Sequence, residues 1–447
     1  MRHILFTVFL FGCSLSFAQE QSKSFSLQEA IDFALENNRT AKNATRDIEA
    51  AKQQKWETTA TGLPQLDANI NYQNFLKQQV TVIPSEVLGG TPGEFSEVIF
   101  GTQQSSSATA TLSQLLFDGS YLVGLQSAKV FLEISENAKI KTELEVRRAV
   151  INSYGNVLIA EESLAILEKN IEVLNKNLFE VTKIYENGLE EQESVEQLQI
   201  TLSNVQSNLN NIKRLKEIAY QMFNITLGIE YDDSVILLDD LESLTLKNIG
   251  LELLTESNEV NETIDYKIAE NDKRSKELLL KLERSKALPK LDAFLNGSYT
   301  SFNDEFDFFN SDNKWFGASL FGLNLNIPIF SSGKRSAATQ RANINLEKAK
   351  DDLTETEQRL KLQVASAKSD FKFAIEDYDN KKQNLNLAER IEVKNQTKFF
   401  EGIASSFDLR QAQTQLYTAQ KELLQAMLDV INSKAELETV LNSPIKN

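Results

Sequence analysis

Side chains able to act as nucleophiles, bases or soft metal ligands are almost missing from this chain: its 447 residues hold one Cys, Cys13, and one His, His3. Both fall within residues 1–18, which read as a removable leader. That leaves Asp, Glu, Ser, Lys and Tyr, and none of these stands in a reactive pattern. There is no Gly-x-Ser-x-Gly, no Ser-x-x-Lys with partner motifs and no phosphate-cradling Gly loop. Without the leader, thiolate or imidazole catalysis, disulfides and Cys/His zinc sites are excluded. The chain is expected to be no enzyme and to need no cofactor or metal. Acids crowd at Glu190, Glu191, Glu193 and Glu196, a run that at a helix start reads as a solvated face favoured by the helix dipole. A formal net charge of −17 disfavours nucleic acid and other phosphate-bearing partners.

The leader has the parts of a secretory signal peptide: Arg2-His3, an apolar stretch from Ile4 to Phe11, and Ser16-Phe17-Ala18 before Gln19. Cleavage is expected after Ala18. Cys13, behind Leu10-Phe11-Gly12, leaves lipidation as the other way of processing it. Beyond the leader no run of 18 apolar residues exists, so a membrane could be crossed only by β-strands.

The rest is written twice. Gly62-Leu63-Pro64-Gln65-Leu66-Asp67-Ala68 is echoed by Ala287-Leu288-Pro289-Lys290-Leu291-Asp292-Ala293, Leu116-Phe117-Asp118-Gly119 by Ile329-Phe330-Ser331-Ser332-Gly333, and Tyr185-Glu186-Asn187-Gly188-Leu189 by Phe399-Phe400-Glu401-Gly402-Ile403. Each copy reads as helix, strand, loop, strand, very long helix, tight turn, helix. The expected division is a first repeat over 19–228, an acidic, irregular linker over 229–250, and a second repeat over 251–447. A capping box at Ser26-Leu27-Gln28-Glu29 opens one helix that runs toward Pro64; its counterpart starts near Asn261-Glu262-Thr263 and stops at Leu288-Pro289. No proline falls between Pro92 and Pro289 or between Pro328 and Pro444, which leaves the long helices unbroken.

Those helices carry heptad seams. Leu346, Leu353, Leu360, Ala367 and Ala374 recur every seven residues, as do Val364, Phe371, Tyr378 and Leu385, within a helix expected over about 334–401. In the first copy Leu167, Ile171, Leu174, Leu178, Val181 and Tyr185 alternate four and three. About 68 residues of helix make a rod of roughly 100 Å.

Four segments alternate as strands, at about 65–77, 105–117, 290–302 and 315–329. Leu66, Ala68, Ile70 and Tyr72 face one way, Asp67, Asn69, Asn71 and Gln73 the other, and Leu291, Ala293, Leu295, Gly297 and Tyr299 repeat the pattern. Their length fits the roughly 9–11 residues of a membrane β-strand. In the last strand Phe316, Ala318 and Leu320 hold one parity and Phe321, Leu323, Leu325 and Ile327 the other, so a bulge is expected near Leu320-Phe321. Tyr72, Phe75, Tyr299, Phe302, Trp315 and Phe316 would form an interfacial girdle. Residues 78–104 read as a long external loop. Four strands cannot close a barrel, so closure needs several chains.

A duplicated helix, hairpin and long coiled-coil pair, with Leu-Pro-x-Leu-Asp-Ala and Phe-x(1 or 2)-Gly marking each half, resembles the TolC-like outer-membrane efflux proteins over nearly all of residues 25–443. The resemblance implies a mainly α protein with membrane β: a homotrimer whose 12-stranded β-barrel, four strands per chain, continues into a long coiled-coil α-helical barrel. It implies an exit duct in the outer membrane, with a large periplasmic helical portion, for a tripartite efflux or type I secretion system. Its partners would be a periplasmic adaptor and an inner-membrane pump. The tips Gly188-Leu189 and Gly402-Ile403 would face the adaptor. Phe407-Asp408-Leu409-Arg410-Gln411 resembles the aperture-lining segment, making Asp408 and Gln411 aperture candidates, with Glu190 and Glu193 near the matching turn. A periplasmic adaptor or a structural coiled-coil trimer of the envelope would also use long helices. The first predicts a single hairpin and a Gly-rich lipoyl-like domain, the second heptads without paired strands.

Overall fold

The computed structural model describes residues 23–255 and 259–442, so the expected leader lies outside it. In chain order come β1 (Lys23–Phe25), α1 (Leu27–Asn37), α2 (Arg39–Ala60), β2 (Gln65–Asn74), β3 (Val80–Pro84), β4 (Phe95–Ile99), β5 (Gln104–Asp118), α3 (Gly119–Glu186), α4 (Gln192–Leu227), β6 (Val235–Leu237), α5 (Leu241–Asn248), α6 (Glu252–Thr255), α7 (Ile264–Ser285), β7 (Lys290–Asn303), β8 (Trp315–Asn326), α8 (Lys334–Phe400) and α9 (Ser406–Leu441). Two compact units divide them. One takes the described residues of Met1–Thr45, Lys139–Ile264 and Arg359–Asn447; the other is Arg46–Ala138 with Asp265–Gln358. Each unit draws on both sequence repeats, so the repeat boundaries and the spatial boundaries do not coincide.

The first unit is helical, with a core made where α1, α3, α4, α8 and α9 bring apolar stripes together: Ile31, Val150, Tyr154, Phe223, Phe371, Tyr378, Val430 and Leu437 are all buried. The Ser26–Glu29 capping box opens α1, with the Ser26 amide donating to Glu29 Oε2 at 2.8 Å. The single helix expected toward Pro64 is instead two. Asn38 leaves helical geometry at ψ 135°, and its Oδ1 accepts the amides of Thr40 at 2.8 Å and Ala41 at 3.3 Å, so one side chain ends α1 and caps α2. The linker expected to be irregular is partly ordered. β6 pairs parallel with β1, and Asp240 caps α5 through the Ser243 amide, which lets Leu241 and Leu244 join the core. Tyr154 ties these pieces together, donating toward Phe25 O and Asp239 Oδ2, each at 3.0 Å.

The second unit holds a four-stranded antiparallel sheet in the order β2-β5-β7-β8. Cross-strand partners share a face. One face therefore carries the rows Leu66-Leu112-Leu295-Phe321, Ala68-Ala110-Gly297-Ser319 and Ile70-Ala108-Tyr299-Gly317; the other carries Asp67-Thr111-Asn296-Leu320 and Asn69-Thr109-Ser298-Ala318. Every residue of β2 is exposed, Ile70 to 81%. The bulge expected near Leu320-Phe321 is absent. β7 and β8 pair without interruption from Lys290↔Asn326 to Ser301↔Trp315, and the register shift falls in β5 between Leu115 and Phe117. The apolar residues of β8 change face rather than the strand changing register. Gly322, paired with Phe294, leaves room for its ring: a Cβ there would sit 2.5 Å from Phe294 Cζ. The stretch read as one long loop contains the β3–β4 hairpin, whose five-residue strands are too short to span a bilayer. Among the described residues no helix is long and apolar enough to cross a membrane.

Candidate aperture and tip residues

Both long hairpins turn in the same way. At the first, the Gly188 amide donates to Tyr185 O at 2.8 Å and the Leu189 amide reaches back to Ile184 O at 3.1 Å; at the second, Gly402 donates to Phe399 O at 2.9 Å and Ile403 to Lys398 O at 2.8 Å. Each is a helix end sealed by a left-handed residue, with Gly188 at φ 73° and Gly402 at φ 76°. Leu189 and Ile403 follow in the chain and stand more than two-thirds exposed. Just inside the turns, one buried cluster joins both hairpins: Leu174 and Val181 of α3, Val195 and Leu198 of α4, Phe399 of α8 and Leu409 of α9.

The acidic candidates occupy different settings. Asp408, the third residue of α9, closes a capping box: its Oδ2 accepts the Ser405 hydroxyl at 2.7 Å and the Ser405 amide at 3.0 Å, and the Asp408 amide donates to Ser405 Oγ at 3.3 Å. The Ser405 hydroxyl, then its amide, hold this carboxyl below the ordinary carboxylate range. Gln411, one turn on, is exposed. Glu190 accepts the Ser194 hydroxyl at 2.6 Å, and Glu193 accepts the Gln197 amide at 2.7 Å. The N-cap of α4 is Glu191, with no side-chain capping bond.

Sequence reasoning passed over a polar group behind the tip. Glu392 is 7% exposed, and burial raises its carboxyl above the usual range, an effect the neighbouring Gln413 amide partly offsets. Gln413 is itself buried, close to Glu392 but with neither polar atom in hydrogen-bonding geometry. Tyr417 feels the same acid, its hydroxyl raised first by burial and then by Glu392. Asn177, also buried, accepts the Gln396 amide at 2.9 Å, and Asn170 donates to Gln420 at 2.9 Å. The signal was available: carried one heptad further, the seam of Val364, Phe371, Tyr378 and Leu385 arrives at Glu392.

Two long helical hairpins and a small sheet bearing an exposed apolar face are the parts of a conduit. The sequence matches the outer membrane efflux protein family over residues 30–227 and 269–443, and the chain belongs to that family. It is an outer-membrane efflux channel component and not an enzyme. Among named relatives, the alkaline protease secretion protein AprF of Pseudomonas aeruginosa is 22% identical, with 98% of this chain and 88% of AprF aligned. Among solved structures, the outer membrane protein VceC of Vibrio cholerae superposes with a TM-score of 0.70 at 16% identity, covering 93% of this chain and 95% of VceC. CusC, whose structures concern folding and transmembrane channel formation, superposes with a TM-score of 0.74 at 19% identity, covering 93% and 91%. Proteins of this family form homotrimers and work with a periplasmic adaptor and an inner-membrane pump.

Proposed function

We infer that this chain is one third of an exit duct in which three copies of the β2-β5-β7-β8 sheet close a 12-stranded barrel, β8 of one copy meeting β2 of the next. The observation that carries this is the sheet itself. Four strands leave β2 and β8 as open edges, and the face bearing Leu66, Ile70, Leu295, Tyr299 and Phe321 is exposed in the single chain. Lipid satisfies that face and strand pairing satisfies the edges. The chain then reads as two duplicated halves, 19–228 and 251–447, joined by 229–250 at the level of an equatorial belt.

At the periplasmic end, Gly188-Leu189 and Gly402-Ile403 are the surface offered to an adaptor, and Asp408 with Gln411 lines the narrowing, with Glu190 and Glu193 near the matching turn. The Ser405 bonds that keep Asp408 ionised work against the mutual raising that three converging carboxylates impose. A ring of such groups favours cations over anions. Likeness to a protease secretion protein and to efflux channels supports the same duct whether the pump supplies proteins or small molecules.

Two measurements test this. Purified protein reconstituted in a planar bilayer is expected to be trimeric and to conduct; a monomer without conductance sinks the shared barrel. A photo-cross-linking residue at Ile403 is expected to capture a periplasmic adaptor in cells. Capture of nothing but the chain itself, in cells where the trimer is abundant, removes the tips from the docking surface.

A further inference from the structure

The loop between β7 and β8 carries a group of aromatic rings that the barrel itself does not require. Phe308 is buried and meets the Tyr72 ring edge-on at 5.8 Å; Phe306 meets Tyr72 at 5.4 Å and Phe308 at 5.7 Å; Phe309 rests on Phe306 at 6.0 Å. The loop is tied down at its base, where Asn303 donates to Asn313 Oδ1 at 3.1 Å and the Gln103 amide donates to Asp304 Oδ1 at 3.0 Å. Yet Phe306 is 60% and Phe309 92% exposed. Such rings in water, on an anchored loop, ask for an apolar partner.

Their position says which one. Tyr72 shares a face with Leu66 and Ile70, so the rings extend the apolar face of the sheet beyond its last row, at the end away from the joined helices. Along β7 the apolar rows run from Leu291 to Ser301 opposite Trp315. Ten residues at about 3.3 Å, tilted by about 45°, rise about 23 Å, close to the roughly 25 Å apolar band of an outer-membrane barrel. The Tyr72 row therefore falls at the outer lipid boundary. Asp304, Glu305, Asp307 and Asp312 supply the loop with charges that stay in water while the rings go down.

We propose that Phe306 and Phe309 seat in the outer leaflet of the membrane, at the boundary of acyl chains and headgroups, as a loop-borne anchor that fixes the height of the barrel. This rests on the barrel reading above. The test is site-directed spin labelling of the reconstituted exported protein, from which cleavage after Ala18 removes Cys13, the one native cysteine. Phe309→Cys removes a ring that is 92% exposed and whose one aromatic neighbour among the described residues is Phe306, so folding is expected to survive. A label there should be relaxed more by oxygen, which partitions into lipid, than by a water-soluble nickel chelate. Relaxation mainly by the chelate overturns the anchor, and protection from both agents means protein covers the site and overturns it too. A second label at Ile70→Cys separates the failures: Ile70 in lipid with Phe309 in water defeats the anchor alone, whereas water at both sites defeats the barrel register and the anchor together.

Discussion

The two hairpin tips are built from one plan and part company where the second helix of each begins. Both stop the incoming helix with a glycine near φ 75° and expose the aliphatic residue after it. Past that turn they diverge. The second tip places Ser405 at the N-cap and Asp408 three residues on, a closed capping box; at the corresponding positions the first tip has Glu191 and Ser194, so acid and hydroxyl have changed places. Ser194 turns back to Glu190 instead, and the start of α4 goes without a side-chain cap. A duplicated chain thus keeps what the backbone demands and lets the side chains that fix helix starts drift. The outcome is one tip with a carboxylate held in place and one with carboxylates spread along an exposed helix face.

The largest effect should strike both tips alike. Gly188→Val or Gly402→Val forces a β-branched residue into the left-handed region at a cost of at least about 1–2 kcal/mol. Hydrogen exchange of the amides flanking each turn should accelerate equally, and a large difference between the tips would break the claim of a common plan. Ser405→Ala comes next, at about 1 kcal/mol for the lost cap, while Glu191→Ala should leave exchange at the start of α4 unchanged. The exchange can also be built in: Glu191→Ser together with Ser194→Asp should confer on the first tip the protection that Ser405→Ala removes from the second.

The cap also has a pH signature. Asp408 titrates lower in the folded chain than the roughly 3.9 of a free Asp, so its contribution is fully present above that value and is lost as pH falls through the lower, folded one. Protection of the first turn of α9 should therefore be flat from neutral pH down to about pH 4 and decline below it, and Asp408→Asn should flatten that decline. If Asp408 also lines the aperture, the same variant lowers cation selectivity in bilayer recordings. Unchanged selectivity confines Asp408 to its capping role.

How much of this could be read beforehand depends on the range of the forces involved. Heptad spacing and strand alternation are local, so α8 and the four strands of the sheet were legible from Leu346, Leu353 and Leu360 and from Leu66, Ala68 and Ile70. Contacts between distant segments were not. Asn38 ending one helix and capping the next looks like any helix-surface Asn, and the uninterrupted β7–β8 pairing is not what the parity switch in β8 alone suggests. At the tips, sequence singled out Asp408 as an aperture candidate but could not show that its first partner is Ser405 in its own chain, because Ser-x-x-Asp is a weak signal and the acids near Glu190 look no different.

Glu392 bears on the same comparison from inside the hairpins and carries the smallest effect expected here. Where the first hairpin buries the neutral Asn177, the second buries an acid, at the position its own heptad assigns to a core residue. Because burial raises its pKa, the folded chain holds this proton more tightly than the unfolded one, whose Glu titrates near 4.3. As pH climbs past that value the unfolded state releases its proton first, so stability falls with rising pH until the folded pKa is passed. Glu392→Gln keeps the shape and removes the charge. At neutral pH it should slow exchange of the α8 and α9 amides around Gln413, with the gain shrinking toward pH 4. A gain independent of pH would mean that the amide simply packs better beside Gln413, and that the second hairpin holds no more charge behind its tip than the first.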